Sequence, residues 1–238
     1  MKKILGRGRL ARILGTAVAA PALLAAMPAH AADAPEGKWQ VKLLATGVLA
    51  DGNIDTVRSI NPALASMGAF SAPQTTASNN VTPTLALEYF VKPNISIETI
   101  AGISAHHVTG SGSLEGASLV DHVLIIPATL TVKYHLPLGP IRPYVGAGPA
   151  VFLVMGERPG ATAAALGVTR TSLSSDLGVA IQFGFDVPIK KTPYSLTFDA
   201  KKYWMDTTAH FYVGDNEVLQ TKHSLDPWLL SAGIAYRF

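Results

Sequence analysis

Cysteine is absent from all 238 residues, which removes disulfide scaffolds, thiolate metal sites and cysteine nucleophiles together. Beyond the first 31 residues no apolar stretch approaches the ~18 that a membrane-crossing helix needs, although 48% of the chain is hydrophobic. There is no Arg-Arg pair, so export would follow the general route and not the twin-arginine one. A cationic excess is missing too. The full sequence carries a net charge of +3 at pH 7, but Lys2, Lys3, Arg7, Arg9 and Arg12 supply five of its 19 basic groups. Past residue 31 there are 14 basic and 16 acidic side chains, a net of −2, and nucleic acid is not an expected partner.

What is present begins with export. The basic start, the alanine-rich apolar run from Ile13 to Met27 and the small-x-small ending Ala29-His30-Ala31 predict a cleaved secretory signal peptide over residues 1–31. A membrane anchor would need a stop-transfer pattern that does not follow. Residues 32–238 form the mature domain.

Within it, apolar residues recur at every second position, the period of a strand with two unlike faces. In the segment 177–187, Leu177, Val179, Ile181, Phe183, Phe185 and Val187 share one face, and Gly178, Ala180, Gln182, Gly184 and Asp186 share the other. The same alternation marks 95–103, 130–136, 194–201 and 228–238, and with segments near 38–50, 81–91 and 142–154 it gives eight strands. Their connectors alternate long, short, long, short, long, short, long, the long ones being about 51–80, 108–122, 155–170 and 206–224.

This alternation predicts an all-β fold: an eight-stranded antiparallel transmembrane β-barrel of the bacterial outer membrane. Its apolar face turns to outer-membrane lipid and lipopolysaccharide, with both termini in the periplasm and the long loops outside. Trp39, Tyr89, Tyr134, Tyr194, Tyr236 and Phe238 lie near strand ends on the short-turn side, where an interfacial girdle belongs. The alternative, a soluble lipocalin-like barrel, would invert the faces.

Trp39-Gln-Val-Lys, Thr84-Leu-Ala-Leu-Glu-Tyr-Phe90, the 126–135 segment, Arg142-Pro-Tyr-Val-Gly-Ala-Gly148, and Leu225-Asp-Pro-Trp228 followed by Gly233-Ile-Ala-Tyr-Arg-Phe238 resemble the outer membrane protein W family. The resemblance covers essentially the whole mature chain. It implies an eight-stranded barrel that passes small hydrophobic molecules through the polysaccharide layer and releases them through its wall. As in outer-membrane proteins generally, it also implies that Ile234, Tyr236 and Phe238 are the signal read by the barrel assembly machinery. The first long connector, rich in Ala, Ser, Asn, Thr and Pro, departs from the family pattern, so solute preference does not carry over.

Strand parity places Lys42, Glu88, Glu98, Lys133, Asp186, Asp199, Lys201 and Arg237 inside, four cations and four anions, from the periplasmic half to the middle. Lys or Arg facing lipid at the midplane would cost roughly 2–4 kcal/mol. Paired inside, these charges are expected to close the floor of the lumen, whether or not they do more than fill the core. Above them Thr84, Ile100, Gly102, Ile125 and Ala180 are the candidates for an uncharged upper lumen. Pro83, Pro127, Pro149 and Pro227, which donate nothing to a ladder, mark candidate wall openings or ordinary bulges.

Seven histidines raise metal or catalytic readings, but six scatter through the signal and near loops while His135 ends an inner strand, and His223-Ser224 puts its two side chains on opposite faces. No cofactor, no metal and no enzymatic activity are expected. Three function classes stand: a passive conduit for small hydrophobic solutes, a structural or adhesive barrel working through its loops, and an envelope-lipid-modifying enzyme.

Overall fold

Period-two alternation is borne out through the wall. In the computed structural model, residues 37–66, 71–136 and 138–238 are described; the signal peptide expected at 1–31 lies outside them. The chain runs through β1 (Trp39–Leu49), β2 (Asn53–Ile60), α1 (Pro62–Ala65), β3 (Pro73–Ala77), β4 (Asn80–Lys92), β5 (Ile95–Gly102), β6 (Ser104–Gly112) and β7 (Ser118–His135). It continues through β8 (Arg142–Pro159), α2 (Ala161–Ala165), β9 (Arg170–Leu173), β10 (Leu177–Pro188), β11 (Tyr194–Val213), β12 (Asn216–Leu225) and β13 (Trp228–Arg237).

Eight of these strands close a ring, each antiparallel to the next: β1, β4, β5, β7, β8, β10, β11, β13 and back to β1. Closure leaves no free edge at the level of the ring. Trp39 and Phe238 exchange reciprocal backbone hydrogen bonds of 3.0 and 2.8 Å where the first and last wall strands meet. Leu43, Leu85, Val132, Ile181, Phe183 and Leu230 face outward and exposed, an apolar belt suited to hydrocarbon. Below it, Trp39 packs on Tyr89 and Tyr194 on Tyr236, with ring centroids 4.7 and 5.1 Å apart.

The long connectors differ from the expectation of loops. Much of their length is strand: β2 and β3 lie within 51–80, β6 and β7 run into 108–122, β11 and β12 meet in a tight hairpin within 206–224, and 155–170 holds the end of β8, α2 and the start of β9. The reason is a set of register shifts between His106 and Val108, Val120 and His122, Phe211 and Tyr212, and Gln220 and Thr221. On β7 the extra residue moves the buried positions from Val120 to Val123, and on β2 Ile54, Val57 and Ile60 turn inward at intervals of three, so the alternation is hidden in the sequence of these strands while the ladder continues.

These extensions raise two sheets above the ring. One is β2–β12–β11–β9 and the other β3–β6–β7–β8. Side chains bridge the seams between them. Gln74 on β3 donates from Nε2 to the Ile54 carbonyl (3.1 Å) and accepts from the Ile54 N–H (3.2 Å). At the other seam the Leu173 N–H donates to Glu157 Oε1 at 3.2 Å.

Candidate functional site

An eight-stranded lumen is only wide enough for side chains to fill, and the lower half is filled by charge. All eight charged residues assigned inward by parity are buried. Glu98 on β5 receives Lys42 (2.8 Å), Lys133 (2.8 Å) and Lys201 (3.1 Å). Glu88 on β4 receives Lys42 (2.9 Å) and Lys133 (3.0 Å), and Lys201 also holds Asp199 at 2.7 Å. Removing such charges from water costs several kcal/mol per ion and is offset only where every lone pair finds a donor.

Neutral partners that parity alone did not single out complete the shell. Gln182 donates from Nε2 to Glu98 (2.8 Å) and Asp199 (2.5 Å) and accepts from Thr131 (2.8 Å). The Tyr144 hydroxyl donates to Asp199 at 2.8 Å, and the Lys133 ammonium lies 3.7 Å from the Tyr144 ring centroid. Ser96 donates to Glu88 at 2.5 Å. Gln182, Tyr144 and Ser96 share the inward parity of the charges, and that was the available signal.

Two of the eight depart from the expected pairing. Among the described residues neither Asp186 nor Arg237 takes an ion pair. Arg237 donates from Nε to the Gly37 carbonyl at 2.7 Å and lays its guanidinium 3.5 Å from the Phe90 centroid. Asp186 accepts from Gln40 at 3.4 Å through Oδ2, while Oδ1 has no partner among the described residues. Both sit at the short-turn ends of their strands, outside ion-pair distance of the lysine cluster.

The layer above is not an open upper lumen. Thr84, Ile100 and Ala180 are buried, but Phe152, Tyr203, Met205, Leu44 and Leu229 pack into the space that small residues leave. Phe152 and Tyr203 lie 5.2 Å apart, and Tyr203 shares a 3.1 Å hydrogen bond with Thr129. Large residues on one wall fill the space left by small ones on another. Gly102 lies against Thr84, where an added Cβ would stand 3.1 Å from its Oγ1. Of the five candidates, Ile125 alone lines one of the cavities described next.

Three apolar cavities rise over this plug. The lowest, about 50 Å³, is lined by Val48, Ser104, His106, Ile125, Phe152 and Leu229 among others. The second, about 60 Å³, shares Ala77 and Leu225 with it and includes Ile54, Val120 and Leu173. The third, about 280 Å³, shares Leu114, Leu119, Phe211 and Leu219 with the second and reaches Leu64, Ala163 and Leu166 at the end away from the ring. His223 on the middle cavity is satisfied. The Thr75 hydroxyl donates to the Gly52 carbonyl (2.6 Å), so His223 Nδ1 is the donor toward Thr75 Oγ1 (3.3 Å) and Nε2 accepts from Thr221 (2.7 Å). Its neighbour Ser224 points the other way, to Asp55, so the adjacent pair is split between faces.

The four prolines fall where the wall is least regular. The β4–β5 ladder ends at Thr84–Gly102, next to Pro83. The β5–β7 ladder ends at Ile100–Thr129 and resumes in β6 at Ser104–Ile125, leaving the stretch opposite Pro127 unpaired. Side chains of β4 bridge part of the gap beside Pro83: Thr82 donates to the Ile103 carbonyl (2.6 Å) and Asn80 to that of Ala105 (2.9 Å). Near Pro149 the β7–β8 ladder skips from Thr129–Ala150 to Val132–Ala147. Pro227 sits in the break between β12 and β13, its carbonyl accepting from Tyr203 N–H at 3.2 Å. Pro127 and Pro227 both line the lowest cavity. Among the described residues no cluster of His, Asp and Glu has the geometry of a metal site.

Residues 35–238 match the model of the OmpW family. An uncharacterized outer-membrane protein, y4mB of Sinorhizobium fredii, is 29% identical over 204 residues, 84% of this chain and 80% of that protein. The dibenzothiophene metabolism operon protein PahQ of Pseudomonas aeruginosa is 30% identical over 68% of this chain and 74% of its own length. Among solved structures, the crystal structure of the outer membrane protein OprG from Pseudomonas aeruginosa superposes with a TM-score of 0.71 at 21% identity, covering 86% of this chain and 97% of that one.

Proposed function

This chain belongs to the OmpW family and is an outer-membrane β-barrel; from that premise we propose that it is a passive conduit for small hydrophobic molecules. They enter at the external mouth and leave sideways through the wall, with the termini in the periplasm and the extended sheets outside. The observation that carries this reading is the run of three apolar cavities, joined through shared lining residues and standing over a floor closed by charge.

The chemistry of such a path is selective. An apolar molecule gains about 25 cal/mol for each Å² it withdraws from water, so each cavity is favourable without an energy source. Continuing downward would force it between paired lysines and carboxylates, whose separation leaves buried charge uncompensated. The ladder lapses around Pro83 and Pro127, beside the lowest cavity, offer a weaker barrier toward hydrocarbon. That PahQ is named for a dibenzothiophene metabolism operon supports a flat, neutral aromatic as one class of solute.

The test is uptake of naphthalene or dibenzothiophene by intact cells with and without the barrel, beside its ion conductance in a planar bilayer. Faster apolar uptake with little conductance is the expected pair of results. Equal uptake with and without the protein overturns the conduit.

A further inference from the structure

Four buried side-chain oxygens have no hydrogen-bond partner among the described residues: those of Ser104, Thr171 and Thr197, and Oδ1 of Asp186. A buried hydroxyl without a partner costs free energy, and native structures rarely leave one without a reason. Ser104 is the one of the four that lines any of the three cavities described above.

His106 stands two residues along β6, on the same inward side and on the same cavity. Its Nδ1 lies 2.6 Å from the Ser78 carbonyl, which only accepts, so Nδ1 carries the proton. In the neutral ring Nε2 is then an acceptor. The cavity thus joins a hydroxyl that can give or take a hydrogen bond to a nitrogen that can only take one. The rest of the lining is almost wholly apolar. Asp51, exposed at the edge of the cavity, disfavours anions there.

Resting on the conduit reading, we propose that the lowest cavity is a recognition site for neutral apolar molecules bearing one hydroxyl, an alcohol or a phenol. The ligand O–H donates to His106 Nε2, and its oxygen accepts from Ser104. A ketone would satisfy Ser104 alone, and a bare hydrocarbon neither. A carboxylate has no cation in this cavity and meets Asp51. The barrel would therefore favour hydroxylated aromatics over their parent hydrocarbons once membrane partitioning is accounted for.

The experiment measures binding of 1-naphthol and naphthalene to the full chain in lipid nanodiscs, by ligand fluorescence, with each value corrected for its partition into empty nanodiscs. The corrected affinity ratio should favour 1-naphthol about five- to tenfold and fall toward unity in Ser104→Ala. His106→Phe is the second variant, and a heat-shifted gel band reports folding of both. An unchanged ratio in both folded variants, as a fixed water on Ser104 would give, overturns the site. Naphthalene uptake by cells is followed in parallel. Normal uptake with no preference for 1-naphthol removes this site and leaves the conduit standing, whereas absent uptake removes both.

Discussion

Glu98 on β5 and Lys201 on β11 belong to opposite strands of the eight-strand ring, 103 residues apart in sequence, and their charged groups meet at 3.1 Å across the lumen. A contact between opposed walls leaves no room for a water column at that level. Glu98 also holds Lys42 and Lys133, so Glu98→Gln leaves three buried lysines short of anion. Its expected cost is about 3–5 kcal/mol, read as a lower urea midpoint for the folded barrel in detergent. An unchanged midpoint would mean that the cluster contributes no net stability.

Gly184 makes space for this network. A Cβ there would lie 2.6 Å from the Tyr144 hydroxyl and closer still to the Phe198 carbonyl. Gly184→Ala should therefore destabilise by about 1–3 kcal/mol. Adding Tyr144→Phe should restore only part of this, because the backbone clash with Phe198 persists. Full rescue by Tyr144→Phe would locate the whole strain on the hydroxyl.

Acid should loosen the sheets above the ring before the ring itself. Burial pulls the His223 pKa down from 6.5 to about 4, with Asp55 opposing the shift. A folded-state pKa below the unfolded one gives stability that is complete above pH 6.5, declines as pH falls, and is gone below about pH 4. The shift corresponds to on the order of 3 kcal/mol. Protection factors of β2 and β12, measured against intrinsic amide exchange at each pH, should fall between pH 6.5 and 4, and His223→Leu should flatten this dependence. A fall confined to the ring strands would contradict it.

The absence of native cysteine makes a wall lock unambiguous. In the register fixed by Ile100–Thr129 and Ser104–Ile125, residue 103 faces residue 126 across the unpaired stretch. An oxidised Ile103→Cys/Ile126→Cys pair should slow naphthalene uptake severalfold, and reductant should restore it, with no change in heat-shifted migration. If uptake is indifferent to the lock and rises when Glu98 or Lys201 is changed, the solute passes down the lumen.

By itself the sequence determined the wall. Two-residue periodicity gives each strand an apolar and a polar face, and in a ring whose outside is hydrocarbon every charge of Lys42, Glu88, Glu98, Lys133, Asp199 and Lys201 must turn inward; all six are buried. Tertiary structure alone decided who meets whom. That Glu98 faces Lys201, and that Gln182 and Tyr144 finish the shell, follows from ring order and register, which local alternation does not encode. The same holds above the ring. The bulge at His122 moves the buried positions of β7 from Val120 to Val123, and β2 turns Ile54, Val57 and Ile60 inward at intervals of three, so the period on which the sequence reading depends is lost and these strands read as loops. The cavities, and a Ser104 hydroxyl with no partner among the described residues, emerge only when β6, β7, β8 and the β2–β12 sheet close around the same space.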